Sequence, residues 1–300
     1  MMGTAGGRAV HDHDHLPVAG LTRRRAMGLL GGMGVAVLAG CVARDETVAS
    51  DTVGSGSGAP QASTSTAALS LTSSVASSAP PVQPTTVALP WLTPPSETGG
   101  PFPANGSNQN GGGALANVLD KAAVFRSDMA ADLDGSNRQA GIALTMQIRV
   151  GHTASRTAFA GAAVYLWHCD VGGHYSAYGG GMNGGDFTSR SYLRAVGVTD
   201  AEGNVNFTSI LPGRYQGRAA HIHFMVFSDR TLATRLLTSQ FAFDDSEIDA
   251  LYGTNPVYAA NLRNATYNSR DNVFNGGVEN QLLDLSGTTA AHAAINILVG

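Results

Sequence analysis

The sequence predicts an all-β domain over residues 91 to 300: an antiparallel β-sandwich interrupted by short helical excursions and irregular loops. Three observations carry that prediction. Runs of β-branched, aromatic and aliphatic residues recur at strand length: "IALTMQIRV" (142–150), "AAVYLWHCD" (162–170), "NVNFTSI" (204–210), "HIHFMVFS" (221–228) and "TSQFAFD" (238–244). Glycine- or asparagine-bearing turns separate them, as expected of strands that reverse direction. Only 13% of the 300 residues are charged, so the chain can bury one sizeable core without a second domain.

Upstream of that domain the composition changes twice. "LTRRRAMGLLGGMGVAVLAGC" (21–41) sets a twin-arginine pair before an apolar, glycine-rich run too short for a membrane-spanning helix, and predicts an export signal over residues 1–40. The run ends Leu38-Ala39-Gly40-Cys41, a spacing that resembles a lipoprotein cleavage box with Cys41 as the lipidated first residue. The chain's other cysteine, Cys169, leaves no disulfide framework to employ it. "HDHDH" (11–15) lies upstream of this cleavage and receives no role. Residues 41–90 are rich in Ser, Thr, Ala and Pro and nearly lack aromatics, which predicts a disordered tether. These features predict a domain outside the cytoplasm at the cell surface, touching the membrane only through the lipid anchor. Residues 41–300 carry 14 basic and 20 acidic groups, so no basic face for nucleic acid is expected.

Within the domain, "LPWLTPPSETGGPFP" reads as turns, "NGSNQNGGG" as a surface loop, and "GALANVLDKAAVFRSDM" as holding a short helix. After the five strand runs, "DSEIDALYG" and "NPVYAANLRNA" are the helical or irregular excursions. "GVENQLLDLSG" and "AAINILVG" return to strand.

The chemistry concentrates in "GRYQGRAAHIHF" (213–224). Successive strand side chains alternate faces, so His221 and His223 project from the same side and can reach one metal ion. Tyr215 stands upstream across a short connection, and Tyr175 follows a Gly-Gly turn in "LWHCDVGGHYSAYG". Phenolate is a hard oxygen donor suited to ferric iron, whereas structural zinc favours thiolate and histidine.

Those stretches resemble the intradiol ring-cleavage dioxygenases, the family of protocatechuate and catechol dioxygenases. The resemblance rests on "TGGPFP" (98–103), "RSDM" (126–129), "GAAVYLWHCDVGGHYSAY" (161–178), "RAVGVTDAEGNVNFTSILPGRYQGRAAHIHF" (194–224) and "TSQFAF" (238–243), in that order. It implies a non-haem Fe(III) held by Tyr175, Tyr215, His221 and His223, with Tyr215 and His223 axial. It further implies that Tyr215 acts as base, that Arg218 stabilises negative charge on the bound ring, and that Gln240 gives polar support. The reaction implied is cleavage of a catechol-type diol by O2, between the hydroxyl-bearing carbons, to a muconate-type diacid.

The family's usual acidic residue before its Gly-Pro is glycine here, Gly99 or Gly100 depending on alignment, and the helical N-terminal dimerisation region of catechol-type members is absent. His168, His174, Tyr178 and Tyr192 are spare donors near the site, Tyr178 above all because it lies three residues from Tyr175. The loop 179–192 is expected to shape the choice of diol. A cupin would place a glutamate soon after His-x-His, and a copper–zinc dismutase would need more histidines. The rival of a different class is an exported, non-catalytic β-sandwich that binds carbohydrate or protein through its tyrosines.

Overall fold

The computed structural model describes residues 88–300; the predicted export signal, Cys41 and the tether as far as residue 87 lie outside them. Among the described residues the strands are β1 (Trp91–Leu92), β2 (Asn105–Gln109), β3 (Leu115–Asn117), β4 (Ala143–His152), β5 (Ala163–Trp167), β6 (Arg194–Val198), β7 (Asn204–Ile210), β8 (His221–Phe227), β9 (Arg235–Ala242), β10 (Asp284–Ser286) and β11 (Ala291–Val299). They form a four-stranded sheet in the order β6-β5-β8-β9, a five-stranded sheet in the order β1-β11-β4-β7 with β10 also on β11, and the small hairpin β2-β3.

The smaller of the two main sheets is antiparallel throughout, as expected. The larger one is not: β11 runs parallel to β4 over nine residue pairs, and β1 runs parallel to β11. Alternation in a sequence records which face of a strand is buried and carries nothing about the direction of its partner. Here the C-terminal strand arrives after a long excursion, so a parallel seat beside β4 is open to it.

Three further expectations change. "NGSNQNGGG" is a strand and a turn: β2 pairs with β3 and the glycines form the bend between them. The helix expected after it is a single 3-10 turn, Ala122–Val124. "RAVGV", read only as part of a resemblance, is the edge strand β6. The helical excursions are present as α1 (Asp245–Gly253) and α2 (Ala259–Arg263). Asp244 caps α1 by accepting from the backbone N–H groups of Ser246 and Glu247.

One core cluster unites the two sheets: Leu144, Met146 and Ile148 of β4 and Ile295 and Ile297 of β11 meet Val164 and Leu166 of β5 and Ile222, Phe224 and Val226 of β8. β4 exposes every other residue over its first half, whereas β5 and β8 are buried along their whole length. Their second face therefore has its own cover. Ala163, Tyr165, Trp167 and Met225 form a separate cluster with Phe102, Tyr175 and Tyr178. His221 and His223 fall on that outer face by strand parity, beneath loops rather than between the sheets.

Candidate active site

His221 and His223 are both buried on β8, and their Nε2 atoms lie 3.1 Å apart. The Tyr175 hydroxyl lies 3.1 Å from His221 Nε2. Tyr215 joins from the loop after β7: its ring meets Tyr175 edge-on at 5.7 Å and Phe102 at 5.6 Å. No hydrogen bond joins its hydroxyl to the other three among the described residues. The four predicted donors thus share one face, three of them with their polar atoms in contact.

The donor set fits a cation. His221 Nδ1 donates to the Ala219 carbonyl at 2.7 Å, which leaves the Nε2 lone pair free. His223 Nδ1 is buried without a partner. With its proton on Nδ1, two lone pairs face each other; with it on Nε2, a buried acceptor is orphaned. A metal ion resolves the conflict at Nε2, and adjacent ligands about 2.1 Å from a metal sit roughly 3.0–3.4 Å apart, close to the spacing seen. Burial lowers His221 to a pKa of about 3 and His223 well below its ordinary value, so both imidazoles are neutral near pH 7, the form that can bind a metal. Burial likewise raises both tyrosines. Their phenols lose protons only to a cation that offsets the charge, which suits a trivalent ion. Among the described residues no cluster of three His, Cys, Asp or Glu offers a rival centre.

Each donor is held from behind. Trp167, opposite His223 in register, stacks on its imidazole at 4.9 Å and 3° between planes. Gly100 has φ +67°, and a Cβ there would lie 3.0 Å from His223 Cε1. A side chain would strain the backbone and press on the imidazole, a physical reason for glycine in the departing stretch. Three residues earlier, Glu97 keeps one carboxyl oxygen buried and unpartnered, and burial raises its pKa. The Tyr175 backbone is bracketed by buried Asn183, whose Oδ1 accepts from Tyr175 N–H at 2.8 Å and whose Nδ2 donates to the carbonyls of Tyr175 and Tyr178. The 179–192 loop therefore props Tyr175. Both helical excursions brace the loop before Tyr215: Tyr252 and Tyr258 donate to the carbonyls of Pro212 and Leu211, and Asn261 accepts from Arg214 N–H.

Arg218 and Gln240 adjoin this group. Arg218 Nη2 donates to Gln240 Oε1 at 2.7 Å, and Gln240, opposite His223 on β9, donates in turn to the Thr98 carbonyl.

The spare donors have other employment. Tyr178 accepts from Ala104 N–H and donates to Asn108. Tyr192 donates to Asp170, and His174 pairs with Asp170 and stacks on Phe187. His168 links the sheets, with Nδ1 on the Cys169 carbonyl and Nε2 on the Ser209 hydroxyl of β7. Its burial depresses its pKa from 6.5 to about 4. The unfolded chain then takes up a proton near pH 6.5 that the fold refuses until about pH 4, so stability is complete above pH 6.5 and falls through that window. His168 alone accounts for about 3 kcal/mol. Denaturant midpoints of metal-free protein at pH 7 and pH 4.5 should show the loss, and His168→Gln should remove its share while that of buried His221 and His223 remains; an equal slope in the variant contradicts the assignment.

Sequence reasoning passed over Trp167, Asn183 and Arg194. An arginine in a strand otherwise wholly apolar was the available signal for the last of these.

A dioxygenase family model matches residues 119–272, just over half of the chain and the stretch that contains all four donors, Arg218 and Gln240. Catechol 1,2-dioxygenase 1 of Acinetobacter lwoffii is 31% identical over 116 residues, 32% of this chain and 35% of that protein; the chain thus spans about a third of that relative's length. Among solved structures, an intradiol ring-cleavage dioxygenase from Tetranychus urticae superposes with a TM-score of 0.51 at 21% identity, covering 60% of this chain and 88% of that one, a likeness of fold. The matched segment and its ordered motifs together establish that the chain belongs to the intradiol ring-cleavage dioxygenase family.

Proposed function

We propose that this protein opens the ring of a catechol-type aromatic diol between its hydroxyl-bearing carbons, both atoms of O2 entering a muconate-type diacid. Non-haem Fe(III) is the cofactor, with Tyr175, Tyr215, His221 and His223 as ligands. One observation carries the reading: two buried imidazole Nε2 atoms 3.1 Å apart with a buried phenol oxygen 3.1 Å from one of them. When bound, ferric iron supplies Lewis acidity and accepts electron density from a catecholate, which makes the ring reactive toward O2.

The chain's own groups divide the remaining work. Tyr175 is buried and fixed by Asn183, whereas Tyr215 is half-buried on a loop beside the exposed Gln216 and Gly217. Tyr215 is therefore the phenol free to swing aside and take a proton from the incoming diol at its hydroxyl oxygen. Arg218 faces the charge that develops on the ring from a poorly hydrated position, where one guanidinium is worth more than in water. Phe102, edge-on to Tyr215, helps exclude water.

Oxygen uptake by iron-loaded protein with a panel of catechols tests the reading. We expect one O2 consumed per diol, a diacid product, and a reddish protein from tyrosinate-to-iron charge transfer. Iron-loaded protein that consumes no oxygen with any diol, or a colourless protein that takes up no iron, refutes it in favour of a binding module. Export by the twin-arginine route and lipidation at Cys41 are likewise proposed, from the motifs in residues 21–41; a wholly cytosolic protein on fractionation, or an unmodified Cys41 by mass, contradicts them.

A further inference from the structure

We propose that Asp271 is the positioning residue that aims Arg218 into the active site, an inference that rests on the catalytic reading above. Asp271 comes from the segment after α2, far in sequence from the donors, and is completely buried. A carboxylate survives such burial only when its lone pairs are filled. Both of its oxygens accept from Arg218 Nε, at 2.9 and 2.8 Å. Oδ2 also accepts from Ala219 N–H at 2.7 Å, and Oδ1 from Val273 N–H at 2.9 Å. The carboxylate thus fastens the guanidinium and the turn that leads into His221 with one set of atoms.

The consequence for Arg218 follows from counting its five N–H groups. Nε is taken by Asp271 and one Nη2 proton by Gln240. The remaining N–H groups, on Nη1 and Nη2, have no protein partner among the described residues, although the side chain is only 11% exposed. The planar group also lies 5.6 Å over the Phe274 ring, which in turn meets His221 edge-on at 6.4 Å. One edge of the fork is bolted down by Asp271 and Gln240, its plane is set by Phe274, and the other edge is left to a ligand. Without Asp271 nothing holds Nε: Arg218 follows Gly217, at φ +75°, and its long side chain keeps its rotamer freedom.

Two opposite effects should follow from Asp271→Asn. Removing the carboxylate leaves the Arg218 charge uncompensated, so an anionic ring is attracted no less. The fork, however, loses its direction. We expect kcat to fall roughly 10- to 100-fold with KM unchanged or lower within about threefold. In an Arg218→Gln background the same substitution should change kcat by less than about threefold, because the two residues act through one group. A purely structural Asp271 gives the same loss in both backgrounds, and that result overturns the proposal.

A measurement on metal-free protein needs no turnover. The Arg218 Nε–H resonance, identified by its absence in Arg218→Gln, should be strongly protected from solvent exchange in the wild-type chain. Exchange as fast as that of exposed arginines overturns the clamp. The two readings fail separately: a wild-type protein inactive on every diol sinks the catalytic one while exchange still judges the clamp, and active wild type with kcat of Asp271→Asn within twofold sinks only the positioning role.

Discussion

His223→Ala should lower turnover by roughly a thousandfold or more, abolish the visible colour and leave the protein nearly free of iron. The imidazole sits 3.1 Å from its partner His221 and is pressed flat against Trp167, so alanine removes a proposed ligand and leaves a gap that the sheet cannot close. A paired comparison sharpens the result. Tyr175→Phe should likewise lose most of its iron and colour, since it deletes the oxygen 3.1 Å from His221 Nε2. Tyr178→Phe, three residues on, should keep both, because that hydroxyl is spent on Ala104 N–H and Asn108. Iron content by elemental analysis, read beside thermal melts of the metal-free proteins, separates ligand loss from unfolding. Equal iron loss from the Tyr175 and Tyr178 variants would move the centre elsewhere.

Much of this site was legible in the sequence because its parts are local. The parity of His221 and His223 follows from one strand, and "QGRAA" is short enough to hold Tyr215 near them. The β5, β7, β8 and β9 runs announced themselves by composition. Part of what escaped depends on chain direction or on contacts between distant segments. The parallel seat of β11 beside β4 leaves no trace in either run. Asp271 reaches Arg218 from 53 residues downstream. Asn183 lies only eight residues from Tyr175, but it sits in a glycine-rich loop whose conformation its residues do not reveal. The hairpin of β2 and β3 was hidden by polar, glycine-rich residues that are more often loop than strand. Sequence reasoning finds groups that carry chemistry by type; it finds the groups that hold them only where the holding is local.

Arg194→Met should destabilise the domain by about 3 kcal/mol, a fall of roughly 6–12 °C in melting temperature for a domain of this size. Arg194 is buried on the edge strand β6, and among the described residues it has no carboxylate partner within salt-bridge distance. Its charge is instead spread over neutral acceptors: Nε donates to the Ser176 hydroxyl, Nη1 to the Tyr165 hydroxyl, and Nη2 to the carbonyls of Phe102 and Ser176. Those partners join β5, the turn just after Tyr175 and the N-terminal segment that covers the histidines. Methionine fills a similar volume but leaves two carbonyls and two hydroxyls short of a donor in a closed interior. Against this stands the cost of burying a guanidinium without a counter-ion, which the substitution relieves. The net sign depends on how many acceptors find other donors, and the Tyr165 hydroxyl, already donating to the Pro103 carbonyl, has none to turn to. Arg194→Lys should recover only part of the loss, because an ammonium has three donors and cannot span four acceptors. The charge has a second role, since it also favours the phenolate of Tyr175. Arg194→Met should therefore weaken iron binding at fixed pH even at temperatures where the fold is intact. A variant that melts within about 1–2 °C of the wild type, with iron affinity unchanged, shows instead that desolvation of the guanidinium cancels everything its hydrogen bonds contribute.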